Sequence, residues 1–545
     1  MFGTTREYVM AEPDYIIVGA GSAGSALAAR LSEDLNIKVL LLEAGPQGRH
    51  PFLHIPIGYG KVFYDKNVNW KYHTAPEPNL NNRSIYWPRG KVLGGSSSIN
   101  AMVYVRGHKQ DYEEWQTVAP GWGWVDVEPM FRRMENWLGQ PSQGRGSDGP
   151  LGITDVTKNV HPVTSAYLEA AVQAGIPKNY DYNVDDMIGA CFYQITVKDG
   201  FRSSTANAYL KPIARRKNLK IKTGALVTRV LFKGQTAIGV EYRIGGKVIT
   251  AIAKKEVILS GGAINTPQLL QLSGIGPGNL LKKMNIKVVK DQAHVGRNLS
   301  DHMGVELIYG ATVPTLNQLL RPLWGKAWVG LQFLLRRKGP LTMSLNQGGG
   351  FVNLDGNTGA PDLQLYFMPM SYSTAPKGRR PLMSPDPFPA YRIGFTPCKP
   401  ESKGYIEIQS PDPTQPPTMR ANYFSTEHDL RMVIAGTRLV RRIASMPALA
   451  KITDKEIFPG HKMETDDEII ATARNISWTV FHQCGTCRMG MNVRDSVVDN
   501  KLKVHGIKNL RIADASIFPT IPSGNTNAPA IMVGEMAASI IKGEI

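Results

Sequence analysis

The sequence predicts an α/β protein, and three observations carry that prediction. The first is the apolar run DYIIVG at 14–19, followed by a glycine-rich turn, a helical pattern and a second apolar run that ends in an acid. The second is a pair of strand-like runs, DLQLYFMP at 362–369 and GYIEIQS at 404–410. The third is a helix-like run from Glu427 to Ser445. Strand and helix patterns mixed in this way are typical of α/β folds.

The glycine-rich turn predicts a Rossmann-like dinucleotide site. In the spacing of Gly19, Gly21 and Gly24, the first glycine permits a tight turn and the second lets the backbone approach a pyrophosphate. The third lets the helix pack close to the strand. The helix N-terminus then offers unpaired N–H groups to the phosphates. Glu43, 19 residues beyond Gly24, ends the second strand, where a carboxylate accepts hydrogen bonds from a ribose. The motif fits both FAD and NAD.

Composition and charge limit the classes of protein to which the chain can belong. The chain has 545 residues, 63 Lys and Arg against 45 Asp and Glu, and a net charge of +18. The balance of apolar and charged residues excludes wholesale disorder, collagen and coiled coil. Four cysteines are too few for a disulfide scaffold and suggest a reducing compartment. The basic residues are scattered pairs, so a basic surface is favoured over a nucleic-acid site.

The sequence points to a cytoplasmic location, because neither a secretory signal nor a transmembrane stretch is recognisable. One segment leaves a peripheral contact with a membrane open. Residues 318–338, QLLRPLWGKAWVGLQFLLRRK, are apolar on one side and flanked by Arg and Lys. A helix of this kind can lie on a membrane surface. It also resembles a helix packed over a substrate pocket, which is the commoner use of the pattern and is favoured.

Further motifs show a family resemblance. They are WPRGKVLGGSSSINAMVYVRG at 87–107, GAINTPQLLQLSGIG at 262–276, HQCGTCRMG from His482, and RIADASIFPTIPSGNTNAPAIMVGEMAA from Arg511. With the first glycine motif, these blocks resemble the glucose–methanol–choline (GMC) oxidoreductases, and within them bacterial alcohol and choline dehydrogenases. The resemblance implies FAD, oxidation of an alcohol, and a Rossmann-like FAD-binding domain with an interleaved α+β substrate domain on an antiparallel sheet.

The dispersed motifs make the FAD domain discontinuous. We expect it to comprise residues 12–155, 205–305 and 476–545. The inserted residues 156–204 and 306–475 then form the substrate domain.

The resemblance also implies site residues. Those that would hold FAD are Gly19, Gly21, Ser22, Ala23, Gly24, Glu43, Ala44, Trp87, Arg89, Gly94, Gly95, Ser96, Asn100, Ala101, Met102, Val103, Val227, Asp514, Ala515, Asn525, Thr526 and Pro529. Some family members link FAD covalently through a His in the GGSSS block. Here that position is Ile99, so we expect FAD that dissociates.

Two residues are implied in the chemistry. His482 aligns with the family's active-site base, and a neutral imidazole is well matched to accepting a hydroxyl proton near pH 7. Asn525 aligns with its partner and would hydrogen-bond the substrate oxygen. His302, in a block shared with the family, receives no catalytic role. Cys484 and Cys487 form a Cys-x-x-Cys pair without further ligands nearby, which favours structural packing over a metal or redox site.

The function predicted is oxidation of an alcohol, most simply a primary one, to an aldehyde, with hydride transfer to the flavin. The electrons would go to a quinone or another carrier. An oxygen-using oxidase is the alternative within the family. A flavoprotein without alcohol chemistry, such as a light-driven decarboxylase, is the alternative outside it. Neither the alcohol nor the oligomeric state is readable from the sequence.

Overall fold

The computed structural model describes residues 12–184, 186–354, 359–372, 384–460 and 463–545. Its helices are α1 (Ser22–Leu31), α2 (Tyr59–Val62), α3 (Lys109–Val118), α4 (Trp124–Met134), α5 (Pro162–Gln173), α6 (Gly262–Leu272), α7 (Gly278–Lys283), α8 (Leu316–Leu320), α9 (Leu323–Arg336), α10 (Glu427–Ser445), α11 (Pro447–Ala450), α12 (Asp466–Ile476) and α13 (Asn527–Lys542).

The strands follow in chain order. They are β1 (Tyr15–Val18), β2 (Val39–Glu43), β3 (Tyr72–His73), β4 (Tyr86–Trp87), β5 (Glu135–Trp137), β6 (Leu151–Ile153), β7 (Gly189–Phe192), β8 (Val197–Lys198), β9 (Phe201–Arg202), β10 (Leu219–Thr223), β11 (Leu226–Lys233), β12 (Thr236–Ile244), β13 (Lys247–Ile252), β14 (Glu256–Leu259), β15 (Ile275–Gly276), β16 (Lys290–Asp291), β17 (Met303–Ala311), β18 (Gly348–Val352), β19 (Leu363–Met368), β20 (Ala390–Pro397), β21 (Tyr405–Glu407), β22 (Thr418–Arg420), β23 (Thr453–Phe458), β24 (Trp478–Thr479) and β25 (Leu510–Ile512).

A parallel sheet forms the predicted Rossmann-like unit. Its strand order is β10-β2-β1-β14-β25, and every neighbouring pair is parallel. Strands β1 and β2 are buried along their whole length, as expected for a sheet covered on both faces. Because all five strands run the same way, their carboxyl ends meet at one edge, where ligands bind in open α/β sheets.

Two helices pack together beside this edge. The N-termini of α1 and α13 both begin without a side-chain cap. The helices lie so close that a Cβ added at Gly534 would stand 2.4 Å from the carbonyl oxygen of Ala23. Glu535, fully buried on α13, accepts hydrogen bonds from Arg30 at 2.7 Å and from the hydroxyl of Tyr209 at 2.7 Å. These contacts hold the two helices against each other, and the hydroxyl of Ser22 donates to the side-chain oxygen of Asn527 at 2.8 Å, which joins their N-termini.

In the described residues, the second large sheet has seven strands and is antiparallel. Its order is β23-β17-β20-β19-β18-β7, with β24 paired to the start of β17. The predicted helix Glu427–Ser445 is confirmed as α10. It packs against β20, where a Cβ at Gly436 would stand 2.2 Å from the ring of Phe395. The run at 362–369 is confirmed as β19, whereas the run at 404–410 forms β21, which pairs with β22 outside this sheet.

The amphipathic segment 318–338 contains helix α9. Only Gly325, Val329 and Phe333 of α9 are buried, whereas six of its large apolar side chains are exposed. No helix in the described ranges is long and apolar enough to cross a membrane.

Candidate active site

A deep cleft lies at the carboxyl edge of the parallel sheet and continues toward the antiparallel sheet. It encloses about 2200 Å³ of space, part of it open to solvent. Its walls combine Val18, Glu43 and Ser260 at the ends of parallel strands with Glu306 and Tyr366 of the antiparallel sheet. The cleft therefore joins the two sheets, which is where an enzyme can bring a cofactor and a substrate together.

The first glycine motif forms one wall, and each glycine has a steric reason. Gly19 has φ +102°, and a Cβ there would stand 2.3 Å from the carbonyl oxygen of Ser260. At Gly24, a Cβ would stand 2.0 Å from the carbonyl oxygen of Gly19. Gly21 differs, because a Cβ there would meet no atom within 4 Å and would point into open space beside the cleft. Gly19 and Gly24 thus serve the fold, and Gly21 keeps the helix terminus accessible.

Glu43 is a buried acid at the end of β2. Its two carboxylate oxygens each accept one backbone N–H, from Ala20 at 3.0 Å and from Gly45 at 2.8 Å. Burial raises the pKa of Glu43 to about 7, against the opposing effect of those two N–H groups. Each carboxylate oxygen keeps a second lone pair, so this side chain can accept hydrogen bonds from a diol.

The second glycine block lies directly against the first. Gly95 has φ +54°, and a Cβ there would stand 2.7 Å from the Cα of Gly21. The turn Gly95–Ser98 follows, and the hydroxyl of Ser97 donates to the carbonyl oxygen of Gly94 at 2.6 Å. Only glycines allow two backbone segments to approach this closely. The two glycine blocks are therefore packed directly against each other on the cleft wall.

Most of the predicted cofactor residues lie on the cleft wall. They are Gly19, Gly21, Ser22, Ala23, Glu43, Ala44, Arg89, Gly95, Ser96, Asn100, Ala101, Met102, Val103, Val227, Asp514, Ala515, Asn525 and Thr526. Four others do not: Gly24, Trp87, Gly94 and Pro529. Trp87 is fully buried, and its indole N–H donates to the hydroxyl of Tyr423 at 3.1 Å. Pro529 is buried in the first turn of α13.

The two predicted catalytic residues meet in the cleft. His482 is 6% exposed, and its Nε2 lies 3.1 Å from the amide nitrogen of Asn525. The carbonyl oxygen of that amide accepts from the side-chain amide of Gln364 at 3.0 Å. This contact orients Asn525 so that its NH2 group faces His482.

His302 determines the tautomer of His482. The Nε2 of His302 lies 3.0 Å from the carbonyl oxygen of Cys398, which can only accept, so Nε2 carries the proton. The Nδ1 of neutral His302 must then accept, and it lies 2.9 Å from the Nδ1 of His482. His482 is therefore protonated at Nδ1, and its Nε2 keeps a lone pair beside Asn525. Burial lowers the pKa of His302 to about 4, which keeps this histidine neutral near pH 7.

The pKa of His482 is also depressed. Burial is the main cause, followed by the nearby His302 and Arg89, and together they place this pKa well below its ordinary value. His482 is thus a neutral imidazole at neutral pH, ready to accept a proton.

A buried carboxylate holds the backbone around His482. Asp301 accepts from the backbone N–H of His482 at 2.7 Å and of His302 at 3.0 Å. Its other oxygen accepts from Gln483 at 2.7 Å and from the hydroxyls of Thr479 and Tyr423. Every partner is a donor, so the ionised form of Asp301 fits, although burial raises its pKa.

Sequence reasoning missed this supporting network. Nothing local marks Asp301 or His302 as a partner of His482, which lies 180 residues from His302. Other cleft residues that it missed come from helix α2 and its C-terminal end, from the antiparallel sheet and from nearby turns: Tyr59, Phe63, Glu306, Asn346, Tyr366, Met368, Tyr372, Trp478, Val480 and Phe481. They lie in runs without a motif.

Cys484 and Cys487 are both buried and free. Burial raises the pKa of each thiol. In the described part of the chain, no group of three or more His, Cys, Asp or Glu side chains could hold a metal ion.

Comparisons with known proteins identify the family. Two family models described as GMC oxidoreductase match residues 13–304 and 400–534. The chain belongs to the GMC oxidoreductase family. It is 42% identical to an alcohol dehydrogenase [acceptor] of Pseudomonas putida, over 97% of this chain and 95% of the relative. It is also 42% identical to mitochondrial choline dehydrogenase of Homo sapiens, over 98% of this chain and 90% of the relative.

A solved structure supports the fold. A formate oxidase of Aspergillus oryzae, in a structure concerned with modification of its FAD, aligns with a TM-score of 0.91 and 28% identity. The alignment covers 99% of both chains. The predicted GMC fold, an α/β protein with a Rossmann-like unit and an antiparallel sheet, is confirmed.

FAD is the cofactor of this family, and the cleft fits it. The uncapped N-terminus of α1 and the open space at Gly21 suit a pyrophosphate. The buried carboxylate of Glu43 suits a ribose diol. The same cleft extends from the glycine blocks to His482 and Asn525, which leaves room for a flat ring system.

Proposed function

We propose that this GMC oxidoreductase oxidises a primary alcohol to an aldehyde, with His482 as the general base and Asn525 as the group that orients the alcohol oxygen. FAD, when bound, supplies the acceptor for the hydride that leaves the carbinol carbon. The proposal rests above all on the Nε2 lone pair of His482, which is held toward the cleft 3.1 Å from the Asn525 amide.

An alcohol oxygen can satisfy both groups at once. It can accept a hydrogen bond from the Asn525 amide while its own hydrogen points to the Nε2 of His482. Asn525 donates without competing for the proton, because an amide NH2 has no basic lone pair. As the proton leaves, the developing negative charge on oxygen is stabilised by the amide donor.

The imidazolium that forms also has support. Its Nδ1–H remains hydrogen-bonded to His302, and the ionised Asp301 lies next to its backbone. A nearby negative charge stabilises a buried cation. These contacts let His482 hold the proton during the reaction, even though its resting pKa is low.

The other site residues would hold the cofactor. Glu43 would accept from the adenosine ribose, the N-terminus of α1 would bind the pyrophosphate, and Val227 would meet the adenine through its backbone. The remaining predicted residues on the cleft wall would contact the rest of FAD. Ile99 also lines the cleft and offers no nucleophile, which supports dissociable FAD.

The electron acceptor is proposed to be a quinone or another carrier. Support comes from the similarity to a relative named alcohol dehydrogenase [acceptor]. Other relatives are named oxygen-dependent choline dehydrogenase, so hydrogen peroxide must be measured during turnover. Hydrogen peroxide formed in the same amount as the aldehyde would show that oxygen accepts the electrons, and would contradict the proposed carrier.

The decisive experiment is anaerobic reduction of the enzyme-bound flavin by a panel of primary, aromatic, sugar and polyether alcohols in the dark. We expect bleaching with at least one alcohol, and a loss of 10²–10⁴ in rate in His482→Ala. His428→Ala, on α10 outside the cleft, is the matched control. A His482→Ala enzyme with full FAD content and unchanged rate would remove His482 from the mechanism.

A second experiment tests the attachment of FAD. Acid precipitation should release yellow flavin into the supernatant. Colour that stays with the pellet would show a covalent link.

The domain division is also a proposal. All strands of the parallel sheet lie in residues 12–155, 205–305 and 476–545, which we assign to the FAD domain. Residues 156–204 and 306–475 supply most of the antiparallel sheet. The start of β17 and all of β24 belong to the antiparallel sheet, although their residues lie in the ranges assigned to the FAD domain.

A further inference from the structure

Helix α9 presents a large apolar surface outward. Six of its side chains are exposed to solvent: Leu323 at 83%, Trp324 at 68%, Trp328 at 52%, Leu331 at 46%, Leu334 at 68% and Leu335 at 73%. Trp324, Trp328, Leu331 and Leu335 follow helical spacing and form one stripe, with Leu323 and Leu334 beside it. Contiguous apolar surface of this kind marks an interaction site.

The surroundings of this apolar face are strongly basic. Between Glu306 and Asp355 the sequence contains no acidic residue. The exposed basic residues at and around the helix are Arg321, Lys326, Arg336, Arg337 and Lys338. The apolar face is thus framed by five positive charges from its own stretch of chain. Beside Leu334 and Arg337, the neighbouring groove adds Asp148 and Asp199 but also Lys198 and Lys211, so the surroundings stay net positive.

Helix α9 is firmly packed against the protein through its inner face, so its outer face is not exposed because the helix is misplaced. Gly325 packs closely, since a Cβ there would stand 1.9 Å from the carbonyl oxygen of Leu319. Phe333 meets Phe201 edge-on with ring centroids 5.4 Å apart. The guanidinium of Arg337 lies over both rings, at 4.7 Å and 4.9 Å. The inner stripe of α9 is therefore packed against the protein, and none of the residues that the structure describes buries the outer stripe.

We propose that the outer face of α9 docks the protein on an anionic membrane surface, with the helix lying in the plane of the interface. Leu and Trp side chains would enter the boundary between headgroups and acyl chains, where Trp is favoured. The flanking Lys and Arg would meet the anionic headgroups. Charge decides between a lipid surface and a second copy of the chain, because two copies would bring like-charged rims together.

The test uses the full-length, FAD-loaded protein and vesicles. Sedimentation is measured with phosphatidylcholine vesicles and with vesicles containing about a third phosphatidylglycerol. We expect binding to the anionic vesicles at least about tenfold tighter than to neutral ones, weakening as salt rises. This readout does not depend on enzymatic activity, so it stands apart from the alcohol-oxidation proposal.

Two variants separate the apolar and charged contributions. The variant Trp324→Ser/Trp328→Ser/Leu331→Ser/Leu335→Ser should lose at least about tenfold in vesicle affinity. The variant Lys326→Gln/Arg336→Gln/Lys338→Gln should lose the preference for anionic vesicles. All seven positions are exposed, so the fold should survive.

The matched control is Val118→Ser/Val125→Ser/Val172→Ser/Val248→Ser, which removes four exposed apolar side chains elsewhere and should bind like the original protein. Absence of binding to anionic vesicles, or equal binding by the apolar variant, would overturn the proposal. So would a concentration-dependent dimer that the apolar variant abolishes, because a second copy would then cover this face.

Discussion

The hydrogen bond from His482 to His302 can be removed without changing His482, the proposed base. In His302→Leu, the Nδ1–H of His482 loses its acceptor, which lies 2.9 Å away in the original protein. In His302→Asn, the side-chain oxygen stands close to the position of the lost Nδ1 and can still accept. The pair therefore separates loss of the acceptor from loss of the histidine.

The size of the effect follows from burial. His302 is fully buried, so water does not replace it, and an unsatisfied N–H at this place costs about 1–3 kcal/mol. The loss penalises the Nδ1–H tautomer by this amount relative to the Nε2–H tautomer, whose proton occupies the atom proposed to accept the substrate proton. A tautomer shift of that size lowers the reactive fraction by roughly fivefold to 150-fold, since each 1.36 kcal/mol is a factor of ten.

The assay is the rate of anaerobic flavin reduction in stopped flow, with FAD content measured from absorbance. We expect His302→Leu to be roughly tenfold to a hundredfold slower than the original protein. His302→Asn should recover most of that rate. Equal rates in all three proteins at full FAD content would refute the tautomer argument. Equal losses in both variants would assign His302 a purely structural role.

Three further predictions follow from the same contacts. Gly21→Ala should weaken FAD binding and leave the unfolding temperature of the apo-protein unchanged. Gly24→Ala should lower that temperature, because its Cβ would stand 2.0 Å from the oxygen of Gly19. The reverse pattern would contradict both assignments. Asn525→Leu should cost roughly a hundredfold in flavin reduction by losing one donor to the alcohol oxygen, and an unchanged rate would remove Asn525 from the site. Acid should destabilise the protein as pH falls from 6.5 toward 4, because the pKa of His302 is about 4 when folded and 6.5 ordinarily, so the unfolded chain binds more protons in that window. Up to about 3 kcal/mol of the free energy of unfolding is lost in this way. The fall in Tm between pH 7 and pH 5 should therefore be smaller in His302→Asn than in the original protein. An equal fall in both proteins would contradict this role of His302.

The elements predicted correctly are those whose causes are local. The Gly19–Gly24 turn follows from glycine spacing, and helix α10 follows from apolar periodicity over 19 residues. Most of the predicted cofactor residues also lie on the cleft wall, because their short blocks carry backbone requirements that only glycine and small residues meet. Trp87 shows the limit, since membership of a block does not say whether a side chain faces the cleft or the core.

The linear chain was thus enough to predict the fold class and the family, and it singles out His482 as the proposed base. It could not predict that His302 accepts from His482, that Asp301 holds both backbones, or that α9 buries only three of its residues. A hydrogen-bond partner and a buried face depend on which distant segments pack together. In this protein those segments are far apart in the sequence, and only their packing against each other decides where the Nε2 lone pair of His482 points.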